Sequence, residues 1–257
     1  MSPTASLDVL AIGAHPDDVE LACGGTLALL AAAGRRIGLV HLTRGEAGTR
    51  GTPAERRREA ERAAEALGAA ALEILDCGDG GLRTGPAEED ELIALVRRWR
   101  PELVLAPPPA DRHPDHARAH ALVAAACYYA GLAGRGDGPS GVGALSQSPP
   151  HRPGAVFHYM QHDSFDPEFV VDVTAHWETK LAALACYESQ LYRAGKGGPG
   201  EEGGPPTKIS SREFSLAIEG RARHFGLLAG AELGEPFGSR LPLAIADPMA
   251  LVPGGLR

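Results

Sequence analysis

Residues 7 to 34 read LDVLAIGAHPDDVELACGGTLALLAAAG, and this stretch decides the fold. Its first seven residues form a short apolar run that stops at Gly13. From 19 to 33 the chain is rich in Ala and Leu, and it then meets Gly34, a residue suited to a helix C-terminus. The pattern recurs downstream. RIGLVHLT (36 to 43) reads as a strand, AERRREAERAAEALG (54 to 68) as a charged amphipathic helix and ALEILDCG (71 to 78) as a strand. EEDELIALVRRWR (88 to 100) then reads as a helix, PELVLAPP (101 to 108) as a strand, and roughly 115 to 130 as a helix. Such alternation predicts a Rossmann-like α/β fold: a mainly parallel sheet with helices on both faces. The 257 residues read as a single domain, with its core at about 7 to 245.

Further on, AVFHYMQ (155 to 161) and EFVVDVT (168 to 174) read as strands, and about 175 to 192 as a helix. SSREF opens a last long helix, with Ser210 and Glu213 at capping-box spacing. The Gly- and Pro-rich stretches 131 to 153 and 193 to 206 read as mobile loops.

Composition narrows the function. The formal charge is −8 and there are three lysines, so no basic stripe is available for a phosphate backbone, and nucleic acid is excluded as a partner. The weakly polar stretch 21 to 34 is too short to span a bilayer, and MSPTASLDVLAIG lacks a basic leader, which predicts a soluble, cytoplasmic protein with no membrane partner. The four cysteines have no CxxC spacing and read as buried free thiols.

The five residues AHPDD, 14 to 18, follow the first strand, where open parallel sheets gather their ligands. Asp17 with Glu20 three residues on has the spacing of a helix cap, but a cap leaves His15 unexplained. DRHPDHARAH, 111 to 120, also follows a strand and opens a helix, and it places His113 and His116 at i and i+3. Two strand ends thus deliver histidines and carboxylates to one crevice, which points to a metal. A catalytic zinc takes three such ligands and keeps a fourth position open; His15, Asp18 and His116 supply them. Asp17 is then free to take a proton from the metal-bound water, and a protonated His113 would stabilise an oxyanion. Zinc and ferrous iron both accept these donors, and His15 and Asp17 with a distant His also match the triad of an Fe(II) oxygenase, a reading that leaves Asp18 without a task. No GxGxxG follows Gly13, which argues against a dinucleotide. His120, one turn deeper than His116, reads as structural.

AHPDD and HPDH, in this order on such a sheet, make the chain resemble the LmbE-like or PIG-L family of zinc-dependent N-deacetylases. The resemblance implies removal of acetyl from an N-acetylglucosaminyl group of a small glycoconjugate by attack of a zinc-bound hydroxide, and a homo-oligomer, trimeric or hexameric. It implies His15, Asp18 and His116 as metal ligands, Asp17 as general base that later protonates the amine, and His113 at the tetrahedral intermediate. It further implies that Asp115 tunes His113 and that Arg56 contacts the sugar or its acyl group. Within the family, LTRGEAGTRGT (42 to 52), DRHPDH, YESQ (187 to 190), SREF (211 to 214) and GEPF (234 to 237) look most like deacetylases of N-acetylglucosaminyl L-malate in bacillithiol biosynthesis. Malate is a dianion, and Arg112 is a candidate carboxylate partner. Phe214 stands about where some relatives carry a substrate-contacting tyrosine. A mycothiol-type conjugate, or sugar binding without turnover, remain the alternatives.

Overall fold

The computed structural model describes residues 6–135, 148–192 and 205–252. The parts of the two proposed loops at 136–147 and 193–204 lie outside them. Five parallel strands, β1 (Val9–Gly13), β2 (Ile37–His41), β3 (Ala71–Ile74), β4 (Leu103–Ala106) and β5 (Ala155–Tyr159), alternate with helices α1 (Asp18–Ala32), α2 (Pro53–Ala66), α3 (Pro86–Trp99) and α4 (Pro114–Ala130). Then come β6 (Phe169–Asp172), α5 (Trp177–Leu184), α6 (Arg212–Ala229) and β7 (Gly234–Ser239). The strand order is β3-β2-β1-β4-β5-β7-β6, and β7 runs antiparallel to both its neighbours.

Period-two alternation along β1 explains why both faces are covered. Leu10 and Ile12 join the core under α3 and α4, whereas Val9 and Ala11 join the core with α1, α2 and α5. β1 lies between β2 and β4, so the chain leaves it toward one side and later returns on the other. Such a switch point opens a crevice above the carboxyl ends of β1 and β4, where AHPDD and DRHPDH begin.

Four elements differ from the sequence expectation, α1 among them. α5 ends at Leu184 instead of running to 192, and the chain then folds into turns, with Cys186 N–H donating to Ala183 O and Tyr187 N–H to Leu184 O. α6 is capped by Ser211, whose Oγ accepts from Phe214 N–H at 3.1 Å; Ser210 Oγ instead bonds Thr207 O, so no box with Glu213 forms. The strand β7 has no counterpart in the sequence reading, because GEPFGS has no apolar alternation and two glycines.

At α2 the local code is complete. Thr52 Oγ1 accepts from Glu55 N–H at 3.2 Å, Glu55 Oε2 accepts from Thr52 N–H at 2.8 Å, and Pro53 holds the first helical position. Thr52→Ala should cost about 1 kcal/mol, read as a fall of roughly 2–4 °C in melting temperature. An unchanged melting temperature would show that the box contributes nothing.

α1 is broken. Cys23 has non-helical angles (φ −136°, ψ 21°), so the helix is two segments meeting at Cys23. A buried ion pair occupies the break. Glu235 from β7 accepts from Gly25 N–H (3.0 Å), Thr26 N–H (2.7 Å) and Thr26 Oγ1 (2.7 Å), the donors of the second segment's start. Lys180 from α5 donates from Nζ to Leu21 O (2.9 Å), in the last turn of the first segment, and to Glu235 Oε1 (2.5 Å). Anion at a helix start and cation at a helix end are the arrangement the peptide dipoles favour.

All four cysteines are free, three of them buried. Among the described residues, no helix is long and apolar enough to cross a membrane.

Candidate metal and catalytic site

The loop after β1 is wound tightly. His15 N–H donates to Asp18 Oδ2 at 2.8 Å, and Asp17 takes a left-handed backbone (φ 102°, ψ −24°), unusual for a residue with a side chain. The helix cap that the spacing of Asp17 and Glu20 would allow does not form. Asp17 makes no side-chain cap bond, and Glu20 is fully buried with Oε1 accepting from Tyr187 OH at 2.8 Å.

The two neighbouring carboxylates face different partners. Asp18 Oδ2 lies 3.3 Å from His15 Nδ1, and Asp18 Oδ1 lies 3.3 Å from His116 Nε2. Asp17 Oδ2 instead lies 3.4 Å from Arg56 Nη2. The carboxylate beside the two histidines is that of Asp18, where the Fe(II) reading had put Asp17. His113 completes the cluster, with its ring centroid 4.7 Å from His15 and 4.9 Å from His116.

The donor set suits a metal. Ligands about 2.0–2.1 Å from a tetrahedral zinc stand about 3.3–3.4 Å apart, and each Asp18–histidine separation has that length, through Oδ2 toward His15 and Oδ1 toward His116. The remaining ring nitrogens face carboxylates: His15 Nε2 lies 3.1 Å from Asp79 and 3.6 Å from Asp115, and His116 Nδ1 lies 3.4 Å from Asp111. Neither of these nitrogens has a well-formed hydrogen bond. Carboxylates behind the ring nitrogens are how metal-binding histidines are oriented. His15, His113 and His116 also present ring nitrogens within 4.8 Å of one another, so His113 is a further possible ligand.

Charge is strongly shaped here. Burial pushes Asp17 up to about 7, against the pull of Arg56 and with repulsion from Asp18. Burial would also raise Asp18, but His116 and His15 outweigh it and hold that carboxyl well below the usual range. Burial and the charges of His15 and His116 lower His113. Its Nδ1 accepts from Asp115 N–H at 3.3 Å, so in the neutral ring the proton sits on Nε2.

Other expected residues fall as follows. The Asp115 carboxylate accepts from Gly80 N–H, Leu82 N–H and Arg118 and faces His15; Asp115 meets His113 through its backbone N–H, which donates to Nδ1. Arg56 is buried at 4% exposure and donates to Pro16 O as well as facing Asp17, so its guanidinium holds the AHPDD loop. Gly45 (φ +67°) permits this, since a Cβ there would stand 2.7 Å from Arg56 Nη1. Arg112 is exposed and has no ion pair among the described residues, because Asp111 and Asp115 are engaged elsewhere. Phe214 faces His162, their ring centroids 6.1 Å apart. His120 Nδ1 lies 2.8 Å from Pro107 O, outside the cluster.

Sequence reasoning missed Asp79, Asp111, Gln161 and His162. His162 had no assigned role, yet it stacks on His116 (5.5 Å) and donates its N–H to Asp111 Oδ2 at 2.8 Å. The rule that strand ends face the crevice applies to β3 and β5 as well, and it would have found Asp79, Gln161 and His162.

Residues 10–127, which contain both histidine clusters, match the model of the PIG-L family, described as GlcNAc-PI de-N-acetylase. The chain is 34% identical over 197 residues to the diacetylchitobiose deacetylase of Thermococcus kodakarensis, covering 71% of this chain and 70% of that protein. It is 33% identical over 205 residues to the 4-oxalmesaconate hydratase of Pseudomonas putida, covering 73% and 75%. Its fold matches the conserved protein TT1542 from Thermus thermophilus with a TM-score of 0.78 and 35% identity, over 94% of this chain and 98% of that one. By these likenesses, and by the paired histidine clusters on its switch-point crevice, the chain belongs to the PIG-L family.

Proposed function

We propose that the chain is a metal-dependent N-deacetylase acting on an acetylated glucosamine in a small conjugate. The observation that carries this reading is the meeting of His15, Asp18 and His116, from the ends of β1 and β4, with Asp17 turned aside from them. In the reading, His15, Asp18 and His116 hold a divalent metal, zinc or ferrous iron. Such a metal supplies a Lewis acid that acidifies water toward neutrality and polarises a carbonyl. Asp17 takes the water proton and returns it to the departing amine nitrogen, and His113 Nε2–H donates to the oxygen on which charge develops. Arg56 holds Asp17 by charge and the loop by its bond to Pro16 O.

The malate conjugate is the substrate we favour within this class. Support comes from the DRHPDH and YESQ resemblance and from the exposed, unpaired guanidinium of Arg112 beside the cluster, which suits a carboxylate. A second reading, water addition to an unsaturated carboxylic acid such as 4-oxalmesaconate, is favoured by the named activity of the Pseudomonas relative.

The test is free-amine release from N-acetylglucosaminyl L-malate, an inositol conjugate, diacetylchitobiose and plain N-acetylglucosamine, with zinc-loaded protein. Release that is fastest from the malate conjugate and falls in Arg112→Ala supports the favoured substrate. Faster release from another conjugate moves the substrate but keeps the chemistry. No release from any, with turnover of 4-oxalmesaconate, replaces the deacetylase by the hydratase.

A further inference from the structure

We propose that Gln161, at the end of β5, is a positioning residue for the carboxylate of Asp18 and sets the affinity of the site for its metal. The inference rests on the metal-site part of the preceding reading and not on the substrate.

Asp18 spans the two histidines, and each of its oxygens is fixed by one donor. Oδ2 receives His15 N–H at 2.8 Å, a bond local to the loop. Oδ1 receives the Gln161 side-chain amide at 2.9 Å, across 143 positions of sequence, and is the oxygen that faces His116. An ionised carboxylate accepts only, so Gln161 must turn its NH₂ toward Asp18 and its carbonyl away. That carbonyl bears the cost of the arrangement: Gln161 is 4% exposed, and its Oε1 is buried without a hydrogen-bond partner. A buried acceptor left unpaired costs about as much as a hydrogen bond to a carboxylate contributes, so the amide adds little net stability to the fold.

The backbone around Gln161 is held from both sides. Arg221 of α6 donates from Nη1 to Gln161 O and from Nη2 to Leu21 O (3.4 Å), tying the strand end to α1. The next N–H, from His162, goes to Asp111, the carboxylate behind His116. One strand end therefore braces both the carboxylate between the histidines and the carboxylate behind one of them. Without the amide, Asp18 keeps only the His15 N–H bond at Oδ2, Oδ1 is no longer held toward His116, and the donor set is no longer fully assembled in advance.

The experiment is a zinc titration of the metal-stripped full chain against a chromophoric chelator, with no substrate present. Gln161→Leu and Gln161→Met, which keep the bulk and remove the donor, should lose 10- to 100-fold in zinc affinity. Their metal-free melting temperatures should stay within about 3 °C of the parent. Tyr159→Phe on the same strand removes a bond to Ile12 O (2.9 Å) and should leave zinc affinity within about threefold. The proposal is overturned if both Gln161 variants bind zinc within about threefold of the parent, if Tyr159→Phe loses as much as they do, if neither variant folds, or if the parent binds no zinc. A parent that binds zinc yet releases no amine would sink the deacetylase reading while leaving this one standing.

Discussion

Replacing Asp17 with Asn is expected to lower turnover about 10²- to 10⁴-fold while leaving the chain folded and loaded with metal. Asn is the right probe because Asp17 sits in the left-handed region (φ 102°), which Asn tolerates and most residues do not. The amide keeps the size of the carboxyl and loses its capacity as a base. Asp18, the carboxylate that faces both histidines, is untouched, so metal content should match the parent by elemental analysis. Arg56 loses the carboxylate it faces but keeps its bond to Pro16 O, so thermal unfolding is followed alongside. Parent-like turnover in the variant would show that another group takes the proton.

The second large effect concerns stability. Glu235→Ala should destabilise the chain by about 3–5 kcal/mol, because it strands the Lys180 ammonium in the interior and strips the partner from Gly25 N–H and Thr26 N–H. In a chain of this size, that is a fall of roughly 6–20 °C in melting temperature. Lys180→Met should cost less, since Glu235 keeps three donors from Gly25 and Thr26. The double variant should lose less than the sum of the two, as contacting charges require. Additive losses would mean that the two side chains act independently of each other.

How much of this could be read from residues alone depended on whether the cause was local. The β1-α1 and β4-α4 units were readable because apolar runs, turn residues and helix starts follow one another along the chain, and the histidine clusters sit in the joints. β7 was not, because its strand character comes from pairing between β5 and β6, neither adjacent in sequence. Asp18, His15 and His116 stand in two short motifs, whereas Asp79 and Gln161 are single residues at the ends of other strands. The break at Cys23 was hidden for a related reason. ELACGGTLAL reads as one helix with two poor residues, and the partners that stabilise the interruption lie more than 150 positions away.

That interruption bears on how the protein can vary. A side chain at Gly25 would set its Cβ 2.8 Å from Val173 Cβ and 3.1 Å from Glu235 Oε1, and one at Gly24 would press on Lys180 Cγ at 3.3 Å. The two glycines are therefore not spare positions in a helix but the clearance through which the ion pair reaches the backbone. Any side chain at Gly25 must therefore displace Val173 or Glu235, and one at Gly24 must push the Lys180 stem aside.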